Sequence, residues 1–255
     1  MASANFESSM TWIHHIGSYF GLLTRAFSKP EKRSIYWKLF VEEVDKIGVQ
    51  SVPIVALLST FMGAVITIQT AAQIDSGWIP AYIIGFTTRQ TTILEFSPTI
   101  IPVILAGKVG SNIASEIGTM RITEQIDALD IMGINSAGYL ILPKVLASVF
   151  IFPVLVVISM FLGICAGALI GEFAGVVSFA DFEQGIQYDF RPFQIAYAVI
   201  KTTVFAFIIT SVSAYCGYHV RGGALEVGRA STQAVVWSIV LIMTFNVILT
   251  QVLLL

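Results

Sequence analysis

Glu95 and Lys201 are the residues that most invite chemistry, because each stands inside a stretch otherwise built from apolar side chains. A charge in such surroundings is costly, so it normally faces a bundle interior or a wet cavity and has a partner there. Pro98 follows Glu95 after three residues, and Pro102 comes four later. A proline has no amide donor, so the carbonyls of Leu94 and Pro98 lose their helical partners and a kink is expected. A carboxylate beside freed carbonyls makes a polar spot, which reads either as a ligand or gating site or as an ion pair that fixes packing. Lys201 is the candidate partner; the alternative is a long side chain reaching back to the membrane interface. Arg89 lies six residues before Glu95, a spacing that does not stack two side chains on a regular helix. A pair between them therefore requires an irregular one.

These residues need apolar helices to carry them. Of 255 residues, 56% are hydrophobic and 12% charged, against about 25% charged in an ordinary soluble domain, and mean hydropathy is +0.82. No Asp, Glu, Lys or Arg occurs from Ile47 to Ile74, from Val145 to Gly171, or from Ala230 to Leu255. Each gap exceeds the ~20 residues a helix needs to cross the hydrocarbon core, and in lipid such runs satisfy their backbone only as helices. The class is an all-α integral membrane protein. Its expected spans cover about 47–72, 79–107, 143–172, 193–217 and 232–255. Arg25, Lys29, Lys32, Arg33, Lys38 and Lys46 precede the first span; Lys108, Arg121 and Lys144 lie between the second and third, and Arg221 and Arg229 between the last two. The opposite loops hold only Arg191, beside Glu172, Asp181, Glu183 and Asp189. This asymmetry predicts a cytoplasmic N-terminus and a C-terminus on the far, periplasmic side.

Residues 11–27 are apolar and aromatic but interrupted by His14, His15 and Arg25. They suit a helix lying in the interface, with Trp12, Tyr19 and Phe20 at headgroup depth; a sixth span is the alternative. The chain is expected to comprise a segment 1–46 and one transmembrane domain, 47–255, with no cleavable signal peptide. Gly163, Gly167, Gly171 and Gly175 recur every fourth residue and so share a helix face where another backbone can approach. In the stretch from Gly110 to Gly133, Gly118-Thr119 predicts a break, with Thr119 capping a short amphipathic helix. Its Ile122, Ile126 and Leu129 fall on one face and Glu124, Asp127 and Asp130 on the other. An acidic face suits a protein partner better than an anionic membrane surface.

Several classes are excluded. A net charge of −2 gives no reason to expect nucleic acid. Cys165 and Cys216 fall in apolar spans and read as small buried hydrophobes rather than a disulfide or metal site. Gly107-Lys108 lacks the rest of a phosphate-binding loop, because Pro102 stands where glycine is needed and Val109 where Ser or Thr is needed. No hydrolase motif occurs, so the chain is not expected to be an enzyme. An ion-coupled secondary transporter would show two related halves with paired broken helices, which five spans do not supply.

The run AGKVGSNIASEIGTMRITEQIDALDIMGIN, from Ala106 to Asn135, closely resembles the signature of the MlaE/YrbE-type permeases of phospholipid-transport ABC systems. Glu95 and Pro98 upstream, Pro143, the run IKTTVFAF around Lys201, and RGGALEVGRASTQAVV from Arg221 to Val236 extend the likeness. It covers nearly all of the chain after about residue 40. The resemblance implies a homodimeric permease of the bacterial inner membrane, with a cytoplasmic ABC ATPase dimer docked on the helix around Arg121 to Met132. That makes Glu116, Arg121, Glu124, Gln125, Asp127, Leu129 and Asp130 the coupling candidates. It also implies a hexameric MCE-domain protein on the outer side, a STAS-like subunit in some systems, and phospholipid as substrate. No cofactor is expected in this chain; ATP and Mg belong to the partner ATPase. The family's membrane glutamate and lysine map to Glu95 and Lys201, with Arg89, Pro98 and Pro102 as further translocation candidates. Members often have Arg before that Glu, where this chain has Leu94. Either Arg89 supplies the charge or the site is more acidic. Phe96-Ser97 stands where Leu-Gly is more usual.

Overall fold

The computed structural model describes residues 2–28, 33–74 and 80–254, with side chains described from His15 to Ser28 and from Tyr36 onward. Lys29 and Lys32 of the basic cluster, the Trp12 and His14 side chains, and the expected span start at 79 lie outside the described residues. Every regular element among them is helical: α1 (Ala2–Phe27), α2 (Arg33–Ile47), α3 (Val52–Gln73), α4 (Tyr82–Thr91), α5 (Ile101–Leu105), α6 (Ser111–Ile122), α7 (Gln125–Ile131), α8 (Ser136–Phe173), α9 (Phe179–Gln187), α10 (Phe193–Tyr218) and α11 (Ala224–Leu254). A 3-10 turn, Val49–Ser51, joins α2 to α3, and π-helical segments Thr92–Ile100 and Ala106–Gly110 flank α5. Five stretches are long and apolar enough to cross a membrane: Tyr36–Gln73, Tyr82–Ile122, Ser136–Phe173, Phe193–Tyr218 and Ala224–Leu254. The all-α membrane class and the five spans stand; α1 is not among them.

The helices outrun the charge-free stretches. The α8 helix starts at Ser136, seven residues before the expected 143, because Asn135 caps it. Asn135 Oδ1 accepts the Gly138 amide at 3.3 Å, which satisfies one of the orphan donors of the first turn. The last span likewise begins at Ala224, and an exposed Arg229–Glu226 pair at 2.6 Å accommodates its charges.

The chain divides into two compact units. The first comprises Met1–Val44, Ala106–Ser148 and Phe207–Leu241. Within it, Asn135 Nδ2 donates to the carbonyls of Arg25 and Ser28 at 2.7 and 2.8 Å, tying the end of α1 to the start of α8. Tyr19 meets Ser211 at 2.7 Å and His15 meets Tyr215 at 2.8 Å, fixing α1 on α10. Lys144, 4% exposed, donates to Glu43 and Glu116, each at 2.7 Å. This triad joins α2, α6 and α8, and it explains how a lysine fits eight residues inside a long apolar helix. The second unit comprises Asp45–Leu105, Val149–Ala206 and Ile242–Leu255. In it α3 and α8 cross at Gly63 and Gly163, where a Cβ on Gly63 would strike the Gly163 backbone. Ser59 bridges to Ser159 at 2.8 Å, and Ser97 reaches the same hydroxyl at 2.9 Å. Small residues and shared hydroxyls are what hold helices together where lipid tails remove the usual hydrophobic drive.

Replacing Lys144 with Met leaves two carboxylates facing each other without their cation. Breaking a buried pair typically costs about 3 kcal/mol, so the detergent-solubilised Lys144→Met protein should unfold several degrees below the parent by differential scanning fluorimetry. An unchanged midpoint would show that the triad contributes no net stability.

Candidate functional site

The second unit brings Glu95 and Lys201 together. Glu95 sits in the π-helical segment Thr92–Ile100, whose wide turns link the Ile101 amide to the Phe96 carbonyl five residues back. Pro98 lies inside that segment and cannot donate to the Leu94 carbonyl. Lys201 from α10 takes the vacated place, its Nζ reaching Leu94 O at 3.5 Å. The same ammonium contacts both Glu95 oxygens at 3.3 and 3.4 Å, the Tyr197 hydroxyl at 2.8 Å and the Thr250 hydroxyl at 3.4 Å. Lys201 is 0% exposed, so it does not reach back to an interface. Pro102 is buried in α5.

The pair belongs to a wider polar ring that sequence reasoning does not reach. Tyr197 is one turn before Lys201 on α10, and its hydroxyl also meets Thr250 of α11 at 2.9 Å. Thr99 lies one turn after Glu95 and spans between Glu95 Oε2 and Asn246 Oδ1, each at 3.1 Å. Asn246 and Thr250 are themselves one turn apart on α11, with Thr250 donating to the Asn246 carbonyl at 2.7 Å. A signal for them exists: two polar side chains at i,i+4 in a charge-free span share a face, and a tyrosine stands at i−4 from an intramembrane lysine.

Arg89 goes elsewhere. The helix is irregular as a pair with Glu95 would require, yet the guanidinium donates to the carbonyls of Ile186, Tyr188 and Asp189 at 2.6, 3.0 and 3.4 Å. It sits within cation–π range of Phe86 and Phe190. The carbonyls ending a helix lack donors and carry partial negative charge, so a fork of N–H groups fits there. Arg89 therefore clamps the end of α9 and does not replace the arginine absent at Leu94. At its other end α9 is capped by Ser178, which accepts the Asp181 amide at 3.1 Å. It lies close on α4 because Gly185 faces Gly85 and the Tyr82 carbonyl.

The four glycines also divide. Gly163 packs against Thr92 and the Ser59 carbonyl, Gly167 against Thr67 and Thr88, and Gly171 against Val177 and Thr67. Gly175 lies beyond α8 with φ +68° and nothing near its Cβ position. It ends the helix instead: its amide returns to Glu172 O at 3.0 Å and that of Val176 to Gly171 O at 3.1 Å, the paired bonds of a Schellman cap.

In the first unit, the break predicted at Gly118-Thr119 falls later. Gly118 stays inside α6 because Val220 and Val227 side chains press on it, at 3.3 and 3.2 Å from a would-be Cβ. The chain turns at Thr123-Glu124, with Glu124 in the left-handed region at φ 60°. Glu124 is thus the N-cap of α7, on which Gln125 is exposed, Ile126 buried and Leu129 half-buried. Asp127 and Asp130 are held within the unit, by Arg121 at 2.6 Å and Arg25 at 2.9 Å, and Glu116 belongs to the Lys144 triad. What α7 presents outward is Ile131, 86% exposed, and Met132 beside it, 65% exposed. Among the described residues no three His, Cys, Asp or Glu side chains gather as metal ligands.

Fold and site together define a multi-pass α-helical membrane protein with a sealed ion pair in its spans and a short helix displayed between two of them. The chain belongs to the MlaE permease family, whose description matches residues 40–252. It is 35% identical to a probable ABC transporter permease protein of Rickettsia bellii, over 85% of this chain and 83% of that one. It is 30% identical to a Synechocystis protein of the same description, over 96% and 92%. It is also 32% identical to the chloroplastic protein trigalactosyldiacylglycerol 1 of Arabidopsis thaliana, over 86% of this chain and 63% of that one.

Arg89→Lys keeps the charge but loses the planar fork that spans three carbonyls. Limited proteolysis should then cut the 186–191 segment at least several-fold faster while the Glu95–Lys201 pair persists; an unchanged cutting rate would remove the clamp from the account.

Proposed function

We propose that this chain is the membrane permease of an ABC transporter that moves phospholipid between the inner membrane and an MCE-protein conduit leading to the outer membrane. Two copies assemble with a cytoplasmic ATPase dimer, which supplies the ATP and Mg chemistry, and a STAS-like subunit joins the ATPase in some assemblies. The observation that carries the reading is the Lys201–Glu95 pair, a buried ammonium and a half-exposed carboxylate placed among apolar spans. Such a pair gives a charged headgroup a polar point of contact where the acyl chains meet hydrocarbon. Family membership supports the transporter class, and one relative carries the name of a glycolipid. The basic residues gather before α3, between Lys108 and Lys144, and between α10 and α11, which supports a cytoplasmic N-terminus and α7. On this reading α1 lies in the interface, and α7 meets the ATPase through the exposed Ile131 and Met132. Movement of the ATPase reaches Glu95 along the helix run Tyr82–Ile122, which carries both the glutamate and the base of α7.

The test is purification of the tagged chain from its native membrane in mild detergent, with mass spectrometry of co-purifying proteins and lipids. Recovery of an ABC ATPase, an MCE protein and phospholipid is expected. A stable complex holding no ATPase would overturn the reading in favour of an ion-coupled transporter. Replacing Ile131 and Met132 together with Asp should reduce ATPase recovery about tenfold, a loss of ~1.4 kcal/mol, without reducing the yield of the permease. Equal recovery would move the docking surface elsewhere.

A further inference from the structure

We infer that Glu95 selects among headgroups, favouring lipids that carry an ammonium over lipids whose headgroup is purely anionic. The inference rests on the lipid-transport reading and adds the chemical class of ligand. Its basis is an asymmetry within the pair. Lys201 is 0% exposed, and its three N–H groups are surrounded by Glu95, Tyr197, Thr250 and the Leu94 carbonyl. A phosphate approaching from outside finds no free donor there. Glu95 is 49% exposed, so the charge this site presents is negative even though the pair is neutral as a whole.

The carboxylate is also presented with a complementary neighbour. The Thr99 hydroxyl has one proton to share between Glu95 Oε2 and Asn246 Oδ1. The Asn246 carboxamide is half-buried and carries two N–H groups, of which the contact with Thr99 can engage at most one. An acceptor of full negative charge thus stands beside a neutral donor. A zwitterionic headgroup matches both, its ammonium on Glu95 and its phosphate on the Asn246 amide. An anionic headgroup with hydroxyls in place of the ammonium meets the carboxylate without a cation, and in a medium of low dielectric that mismatch is poorly screened. Discrimination of this kind works by repelling the wrong ligand as much as by holding the right one.

The experiment equilibrates the intact complex in detergent with an equimolar mixture of phosphatidylethanolamine and phosphatidylglycerol, re-isolates it, and measures retained lipids by mass spectrometry. The wild type should retain phosphatidylethanolamine about fivefold over its rival, equivalent to ~1 kcal/mol. Glu95→Gln should bring that ratio close to one, because it removes the outward charge and leaves the lysine uncompensated. A wild-type ratio of one, or an excess of phosphatidylglycerol, overturns the inference with no variant needed. So does an undiminished preference in Glu95→Gln, which would place the selectivity elsewhere. Absence of retained lipid of either kind in the wild type would instead sink the lipid-transport reading, and the inference with it.

Discussion

A lysine sealed from solvent inside apolar spans must find acceptors for all its protons, and much of the second unit is arranged around that requirement. Lys201 meets a carboxylate, two hydroxyls and a main-chain carbonyl. The carbonyl is available only because Pro98 cannot donate to Leu94, and the helix widens into a π segment around the proline. Removing any one acceptor leaves a buried charge short of partners, which is far costlier than the same loss at a surface. The pair is therefore coupled to the shape of its helix as well as to its partner on α10.

Charge in the first unit follows the same logic with a different result. Lys144 takes two carboxylates, Glu43 and Glu116, and so joins three helices. Arg25 and Arg121 use Asp130 and Asp127 in the same way. In the second unit Arg89 takes carbonyls at a helix end instead of a carboxylate. The acidic face expected to greet a partner is thus largely occupied within the chain, and the apolar pair Ile131-Met132 is what α7 offers outward.

The spans are legible in the sequence because a charge-free apolar run longer than a bilayer is thick fits little besides a transmembrane helix. Glu95 and Lys201 are legible for the converse reason, as charges where charges are expensive. Tyr197, Thr99, Asn246 and Thr250 are not, since single hydroxyls and amides in apolar helices are common and only spatial convergence marks these four. The role of Arg89 is hidden because its partners are main-chain carbonyls, which leave no trace in side-chain patterns. Glycine misleads twice. Gly118 signals a break but fills a tight contact with Val227, and Gly175 continues a fourfold spacing but serves as a left-handed cap. The start of α8 reads late in the sequence because Lys144 resembles a loop residue, and only its buried triad shows why it is not one.

The central claim is that the Glu95–Lys201 pair takes part in moving lipid. The most direct measurement reconstitutes the complete complex in vesicles and follows ATP-driven transfer of a fluorescent phospholipid for wild type and Glu95→Ala. The account predicts a loss of about tenfold or more in transfer rate, ~1.4 kcal/mol at the least, with the ATPase still bound and still hydrolysing ATP. Transfer at the wild-type rate in that assembled variant would contradict it.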